Sequence, residues 1–557
     1  MRRAYGPGCA DRCERLLKSL RGTRFDDAES LIRFHDSLLF LRAFPQSAEV
    51  ARLADELLAS VEPQVKKLLG SLSNNEIFED ESVSGIAGTT ITNTWTYQLA
   101  ASLAARYPKT VSACWKVDER YRQMTTVLPL LLPVLADDSY VEADTPYLKW
   151  IEAAAGRKKS GLRWLVESFA NLPLPSQTRT SLYDSLGVEV LWDLTGSPAS
   201  RTLARRPVRK LFVHEEPLVQ RKQISLEREI LSKPLPLRKL SRKEGETIIG
   251  MVQDAVTVRY RELQGTTYGD PAQVIQTDVG RGLQLFFWGL DPQWRLPLRA
   301  YYAGFALKNG VPINYFEAIG LFEWMEVGFN TFYAYREGET AWIYAQYLRL
   351  LHQISGATCI SVYPYQIGQD NEEAISSGAF WFYRKLGFRP GRRDLLKIAE
   401  REEAKMHRDS GHRTSATTLR KLAASHIFFE FGTAKPGRWD TFSTRNIGLA
   451  VQREMAANFD GDAGKMRGNT AIRLARMLDV NLRQLNAHER LAFENFAVTL
   501  CLIRGIERWT TSEKHLLLAI IRAKTAPTET RYLRLLQQHT RFRDVLLQLG
   551  SEPQSTR

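Results

Sequence analysis

Residues 379–388 read AFWFYRKLGF, and this stretch decides how the rest of the chain is read. Phe380, Trp381, Phe382 and Phe388 make it a packed aromatic helix around Tyr383, ending in Lys385-Leu386-Gly387. Upstream, Gly356 precedes a strand over Thr358 to Tyr363, and before that a helix opens at Arg336-Glu337-Gly338-Glu339-Thr340-Ala341 and reaches His352. A strand over Glu326 to Tyr335 runs into that glycine turn. Further back, strands over Arg299 to Leu307 and Val311 to Ile319 are joined by Asn309-Gly310. Asn-Gly between two such runs signals a hairpin, because a type I′ turn wants positive φ at both central residues. Leu283 to Leu290 is another strand. Glu244 to Leu263 is an amphipathic helix by the spacing of Ile248, Met251, Val252, Ala255 and Val258. Downstream, Asp394 to Lys405 reads as helix and Ser425 to Phe431 (SHIFFEF) as a late strand, which extends the region to residue 432.

This order of helix, strand, hairpin, strand, glycine turn, helix, strand and aromatic helix resembles the GNAT N-acyltransferase superfamily. Its most specific element is the 379–388 stretch, similar to the family's A-x-x-F-Y-x-K-L-G-F signature. The resemblance implies an α/β fold with a central mixed sheet, and transfer of an acyl group from a thioester donor, acyl-coenzyme A or an acyl carrier, to the amine of a small molecule or peptide. It implies that the backbone of Phe332, Tyr333 and Ala334 orients the acyl arm. It also implies that the turn with Arg336, Gly338, Thr340 and Ala341 approaches the pyrophosphate, where helix N–H groups and the dipole favour an anion. The turn departs from the family's R/Q-x-x-G-x-G/A. Its first position holds Tyr335, with the basic residue displaced to Arg336, and its second glycine position holds Thr340. Glu337 and Glu339 add two carboxylates facing the phosphate position, where they also complement the helix dipole. Tyr383 occupies the place of the tyrosine that protonates the departing thiolate, a role suited to a phenol with a pKa near 10. For the base that deprotonates the amine, the family's position near the fourth strand leaves Glu317, Glu323 and Glu326, of which Glu326 is taken as the expected residue. No metal is implied. The alternative reading is a catalytically idle GNAT-like scaffold, since a fold does not establish an activity.

At 557 residues the chain exceeds what one hydrophobic core serves, and its 44% hydrophobic and 25% charged composition is that of folded protein. Four regions are expected: a mostly helical domain over 11–195, a basic proline-containing linker over 196–240, the GNAT-like domain over 241–432 and a helical bundle-like region over 440–550. In the first region, stripes such as Phe34, Leu38, Leu41 and, after a Ser47 cap and Pro45, Val50, Leu53, Leu57 and Val61 predict a helical hairpin. A further helix is expected to enter at Asp144 with Pro146 in its first turn. Much of the net charge of +14 is local: between Arg201 and Lys243 stand thirteen Lys or Arg against four acids. Four prolines in that segment make it an extended connector more than a groove-reading helix, so an acidic carrier protein is the partner it suits and nucleic acid is not expected.

The longest apolar run, Val127 to Ala136, is half the length of a membrane span and contains Pro129 and Pro133. Gly6, Pro7, Asp11 and Glu14 follow Arg2 and Arg3 where a secretory signal needs a continuous apolar stretch, and the reading is a cytoplasmic protein. Cys9 and Cys13 lie one helical turn apart without a second Cys or His pair to complete a zinc site, and read as loose terminal thiols. Asp460, Asp462 and Gly464 fail as a calcium loop because Ala471 stands where the closing Glu belongs. The Gly85, Gly88, Thr89, Thr90 loop lacks the lysine of a P-loop and is an ordinary turn.

Overall fold

The computed structural model describes residues 4–70, 76–114, 124–133 and 147–551. The expected helix entry at Asp144 and Pro146 lies outside them. The described residues form two sheets. The smaller has three antiparallel strands, β1 (Thr90–Thr94), β2 (Val111–Cys114) and β3 (Glu189–Asp193), with β3 in the middle. The region expected to be mostly helical therefore carries a sheet. Its strands are four or five residues long and β3 lies far along the chain from β1 and β2, so no local period announces them.

The larger sheet has nine strands: β4 (Arg238–Lys239), β5 (Ile275–Gly280), β6 (Leu283–Gly289), β7 (Ala300–Lys308), β8 (Val311–Leu321), β9 (Trp324–Thr331), β10 (Cys359–Val362), β11 (Arg389–Pro390) and β12 (Ile427–Glu430). Their spatial order is β11-β12-β10-β9-β8-β7-β6-β5-β4. From β4 to β9 each strand runs antiparallel to its neighbours; β10 pairs parallel with β9, and β12, the expected late strand, lies antiparallel between β10 and β11. The β7–β8 turn is the expected one: Asn309 has φ 50° and Gly310 φ 79°. Asn309 Nδ2 donates to the carbonyls of Ala43 and Phe212, both at 2.9 Å, so the turn also ties the N-terminal helices and the 201–243 segment to the sheet.

One face of β8 and β9 is covered by the helix Thr340–Ser355. Tyr347 stacks on Phe316 at 4.8 Å and Tyr344 lies 5.0 Å from Phe329. Each such buried ring contributes about 2 kcal/mol of transfer free energy. The helix ends at Gly356, in the left-handed region at φ 77°, whose N–H returns to His352. The AFWFYRKLGF stretch is a short helix, Ala379–Arg384, separated from Glu372–Ser377 by left-handed Gly378. Gly387 has φ 102°, and a Cβ there would lie 3.2 Å from Phe429, so glycine is required.

Apolar side chains from Cys13 through the sheet to Leu546 form one continuous core, while described side chains between Ile91 and Ala199, Trp95, Leu103, Phe169 and Trp192 among them, form a second with Val258. In the first, Ser47 caps the helix Ala48–Ala59 as expected, accepting from Val50 N. Cys9 and Cys13 are buried on the helix Cys9–Ser19 and are not loose terminal thiols. The C-terminal helices dock on the start of β7: Lys524 and Glu529 form a buried ion pair, Lys524 Nζ donates to Arg299 O at 2.8 Å, and Glu529 Oε2 accepts from Tyr301 N at 3.2 Å. Asp462, from the discarded calcium motif, caps the helix Ala463–Leu478. The Gly85 turn packs on Val258, with which a Cβ would collide at 2.5 Å. No helix among the described residues is long and apolar enough to cross a membrane, and none of their His, Cys, Asp and Glu side chains cluster as a metal site.

Candidate functional site

β9 and β10 are paired over four positions, Trp324 with Cys359 through Val327 with Val362. β10 then ends, while β9 runs on to Thr331. The gap left beside the end of β9 is a slot of about 330 Å³, bounded by Phe329, Asn330, Thr331, Gln366, Phe382 and Tyr383. Arg336 and Thr340 at the N-terminus of the helix Thr340–Ser355 line this slot and also a second groove of about 600 Å³. That groove is floored by Glu337, Gly338, Thr340 and Ala341 and roofed by Tyr5 and by Pro217 to Arg221 of the basic segment. The first N–H groups of a helix have no intrahelical partner, so the junction of slot and groove carries unspent donors and the positive end of the dipole.

Arg336, Gly338, Thr340 and Ala341 all line the groove. Gly338 is needed for packing as well, because a Cβ there would lie 2.6 Å from Phe44 Cζ. Arg336 is held by Glu373 at 2.5 Å and lies over the Tyr333 ring at 3.8 Å. The three residues expected to orient an acyl arm are placed differently. The strand expected to reach Tyr335 stops at Thr331, and Tyr333–Tyr335 is a 3₁₀ turn. Phe332 N spends its hydrogen on Ile313 O at 3.0 Å, and Phe332 and Ala334 are buried.

The two turn acids have separate fates. Glu337 is exposed, but Glu339 is fully buried and turned away from the groove. Its carboxylate accepts from Lys308 Nζ at 2.9 Å, from Arg281 and from Val219 N at 3.2 Å. Against the cost of burial, Lys308 and Arg281 hold its pKa down to about 2, while burial lowers the Lys308 ammonium to about 8 despite the pair. Both are ionised at neutral pH. The expectation that both acids face an anion is corrected for Glu339: its charge is neutralised inside the protein.

Tyr383 is buried against Tyr344 and Phe388, at ring distances of 5.7 and 5.6 Å, and still borders the slot. Burial raises its pKa well above the ordinary phenol value, so it stays protonated and serves as a donor. Glu326 lies on the face of β9 opposite the Thr340–Ser355 helix, and both its oxygens are engaged. Oε2 pairs with His426 Nε2 at 2.8 Å and Oε1 faces Arg299 at 3.7 Å. Glu323 is bound by Arg543 at 3.1 Å and Arg438 at 3.4 Å. Among the described residues Glu317 has no cation within ion-pair distance: the Tyr301 hydroxyl donates to its Oε1, and burial raises its pKa. Sequence alternation alone could not separate these three acids, because their status depends on cations 27 to 220 positions away.

No family model, curated protein or solved structure matches the chain.

Proposed function

We propose that the chain is a GNAT-like N-acyltransferase that moves an acyl group from a coenzyme A or carrier-bound thioester to an amine. The observation that carries this reading is the parting of parallel β9 and β10 to leave a slot that meets a helix N-terminus. A thioester arm is long, narrow and attached to phosphates, and a slot opening into a donor-lined groove matches that shape and charge. In this reading the groove at Gly338 to Ala341 takes the pyrophosphate beside Arg336, and the acyl arm lies along Phe329 to Thr331. The Tyr383 hydroxyl donates to the sulfur as the C–S bond breaks, where a phenol that stays protonated is the suitable group. Exposed Arg221 at the groove's roof, with exposed Lys222 next in sequence, would meet the acidic surface of a carrier protein.

Titration of the full chain with acetyl-coenzyme A and longer acyl homologues, read by calorimetry and by melting temperature, tests this. A ligand at one hundred times its dissociation constant stabilises its fold by about 2.7 kcal/mol. Absence of binding at millimolar concentration, with no thiol released from a carrier-bound acyl donor, would refute the enzyme reading. It would favour the idle scaffold, for which the engagement of Arg336 by Glu373 and Tyr333 speaks.

A further inference from the structure

A separate cavity lies away from the slot and groove, where the N-terminal region, the large sheet and the C-terminal helices meet. Its volume is about 340 Å³. It is bounded by the β6–β7 connection from Pro292 to Pro297, by the helices Ala463–Leu478 and Ala487–Leu500, by Lys524 and Thr525, and by Gln177 of the helix Ser176–Asp184. Junctions of this kind and size are where small-molecule sites form. The charge of the lining is one-sided. No Asp or Glu among the described residues lines the cavity, whereas Arg295, Arg467 and Lys524 do. Two of these cations are already answered. Lys524 is paired with Glu529, and Arg295 gives its N–H groups to the carbonyls of Leu290, Lys524, Ala526 and Pro527 at 2.6 to 3.3 Å. Arg467 is exposed, and its side chain has no ion-pair or hydrogen-bond partner among the described residues. Asp291, the acid beside this wall in sequence, is spent on the N–H of Gln293 at 3.1 Å. The rest of the wall is apolar: the Trp294 ring is held against Tyr268 at 4.2 Å between centroids, and Leu491 is left 41% exposed.

We infer that this cavity binds a small organic carboxylate with a flat apolar body, its charge met by Arg467 and its body packed against Trp294 and Leu491. The site does not depend on the acyltransferase reading. A carboxylate fits better than a phosphate because one unmatched guanidinium balances one negative charge, and its planar fork matches the two oxygens of a carboxylate. A dianion would leave one charge without a partner. A flat body suits the ring of Trp294, which Tyr268 already holds in place, so little rotamer freedom is lost when a ligand stacks on it. His488 and Asn495 add polar groups to the same wall. His488 is also the second residue of its helix, where backbone N–H groups lack intrahelical partners, and Glu489, the acid of that first turn, is spent in a capping box with Asn486.

The test is calorimetric titration of the full chain at pH 7 with phenylacetate and cinnamate. Phenylacetamide serves as the uncharged comparison, acetate as the comparison without an apolar body, and phenyl phosphate as the dianion. At least one of the two carboxylates should bind at millimolar concentration or below, and more tightly than any of the three comparisons. Its affinity should fall tenfold or more in Arg467→Gln and in Trp294→Ala. It should be unchanged in Arg476→Gln, which removes an exposed arginine of the same helix that does not line the cavity. Arg467→Gln alters an exposed position and should melt as the parent does, so its loss of binding reports on the site and not on folding. The inference is overturned if neither carboxylate binds, if phenylacetamide binds as tightly, or if Arg467→Gln keeps the affinity. It is overturned too if Arg476→Gln weakens binding as much, which would make the effect one of net charge, or if phenyl phosphate binds more tightly, which would favour a phosphorylated ligand.

Discussion

Replacing Glu339 with glutamine should cost the fold about 3 to 5 kcal/mol, the range for removing one partner of a buried ion pair. The two ends of the pair explain why. Relative to an ordinary carboxylate at 4.5, Glu339 sits at about 2, worth about 3 kcal/mol in favour of folding. Relative to an ordinary lysine at 10.5, Lys308 sits at about 8, worth about 3 kcal/mol against it. Removing the charge from one side leaves the Lys308 ammonium buried and uncompensated, with Arg281 O at 2.6 Å and a neutral amide oxygen as its acceptors. The double variant Glu339→Gln with Lys308→Met should recover most of the loss, because Arg281 reaches solvent and needs no replacement. Urea unfolding followed by tryptophan fluorescence, completed as a double-mutant cycle, measures both numbers. A single-variant cost below about 1 kcal/mol, or a double variant worse than the single, would refute the account. The sign in pH is fixed too. Glu339 is lowered, so its contribution is present above 4.5 and is lost as pH falls from there toward 2, a loss the Glu339→Gln variant should not show.

Three further outcomes follow from the same geometry. Gly338→Ala forces a Cβ to 2.6 Å from the buried Phe44 ring and should cost about 1 to 3 kcal/mol, seen as a lower denaturation midpoint. Tyr383→Phe keeps the aromatic packing and should leave acyl-coenzyme A affinity in place while thiol release slows by about 10²-fold or more, as for loss of one oriented proton donor. Burial raises the Glu317 carboxyl, so its stabilising effect is complete below about 4.5 and lost as pH rises through its folded value; Glu317→Gln should therefore melt no lower than the parent at pH 7.

The parts of this fold that were legible in the sequence are those written locally. Asn309-Gly310 demands its hairpin, Ser47 its cap, and the aromatic stretch to Gly387 its tight end against Phe429. β5 escaped notice because IQTDVG is short and polar, and it pairs as the outer partner of β6 rather than by any period of its own. The small sheet escaped because its strands are four or five residues long and pair far along the chain. At the site, the turn residues Arg336 to Ala341 were found from their order, but the burial of Glu339 was not. Its partners Lys308 and Arg281 lie 31 and 58 positions upstream, so a reading confined to the turn could see only an acid near a helix dipole. The contrast between Glu317 and Glu326 has the same origin, since Arg299 and His426 reach Glu326 through tertiary structure alone.

The flanking helical regions have a role in the site that their sequences do not express. Glu317 needs a fixed Tyr301, and Tyr301 is held at both ends from outside the sheet. Its hydroxyl meets Gly265 N, in the segment that follows the helix Arg242–Thr257, and its backbone N–H is bonded to Glu529 of the C-terminal helices. Glu529 is in turn fixed by Lys524, which also grips the carbonyl of Arg299, the residue that engages Glu326. One buried ion pair thus sets the positions of both acids' partners on the open face. Such pairs add little net stability but fix geometry, since their charges are satisfied in one arrangement only. A loosened Lys524–Glu529 pair would for that reason disturb the positions of Tyr301 and Arg299 before it unfolded the sheet, and the C-terminal helices act as part of the framework of this face.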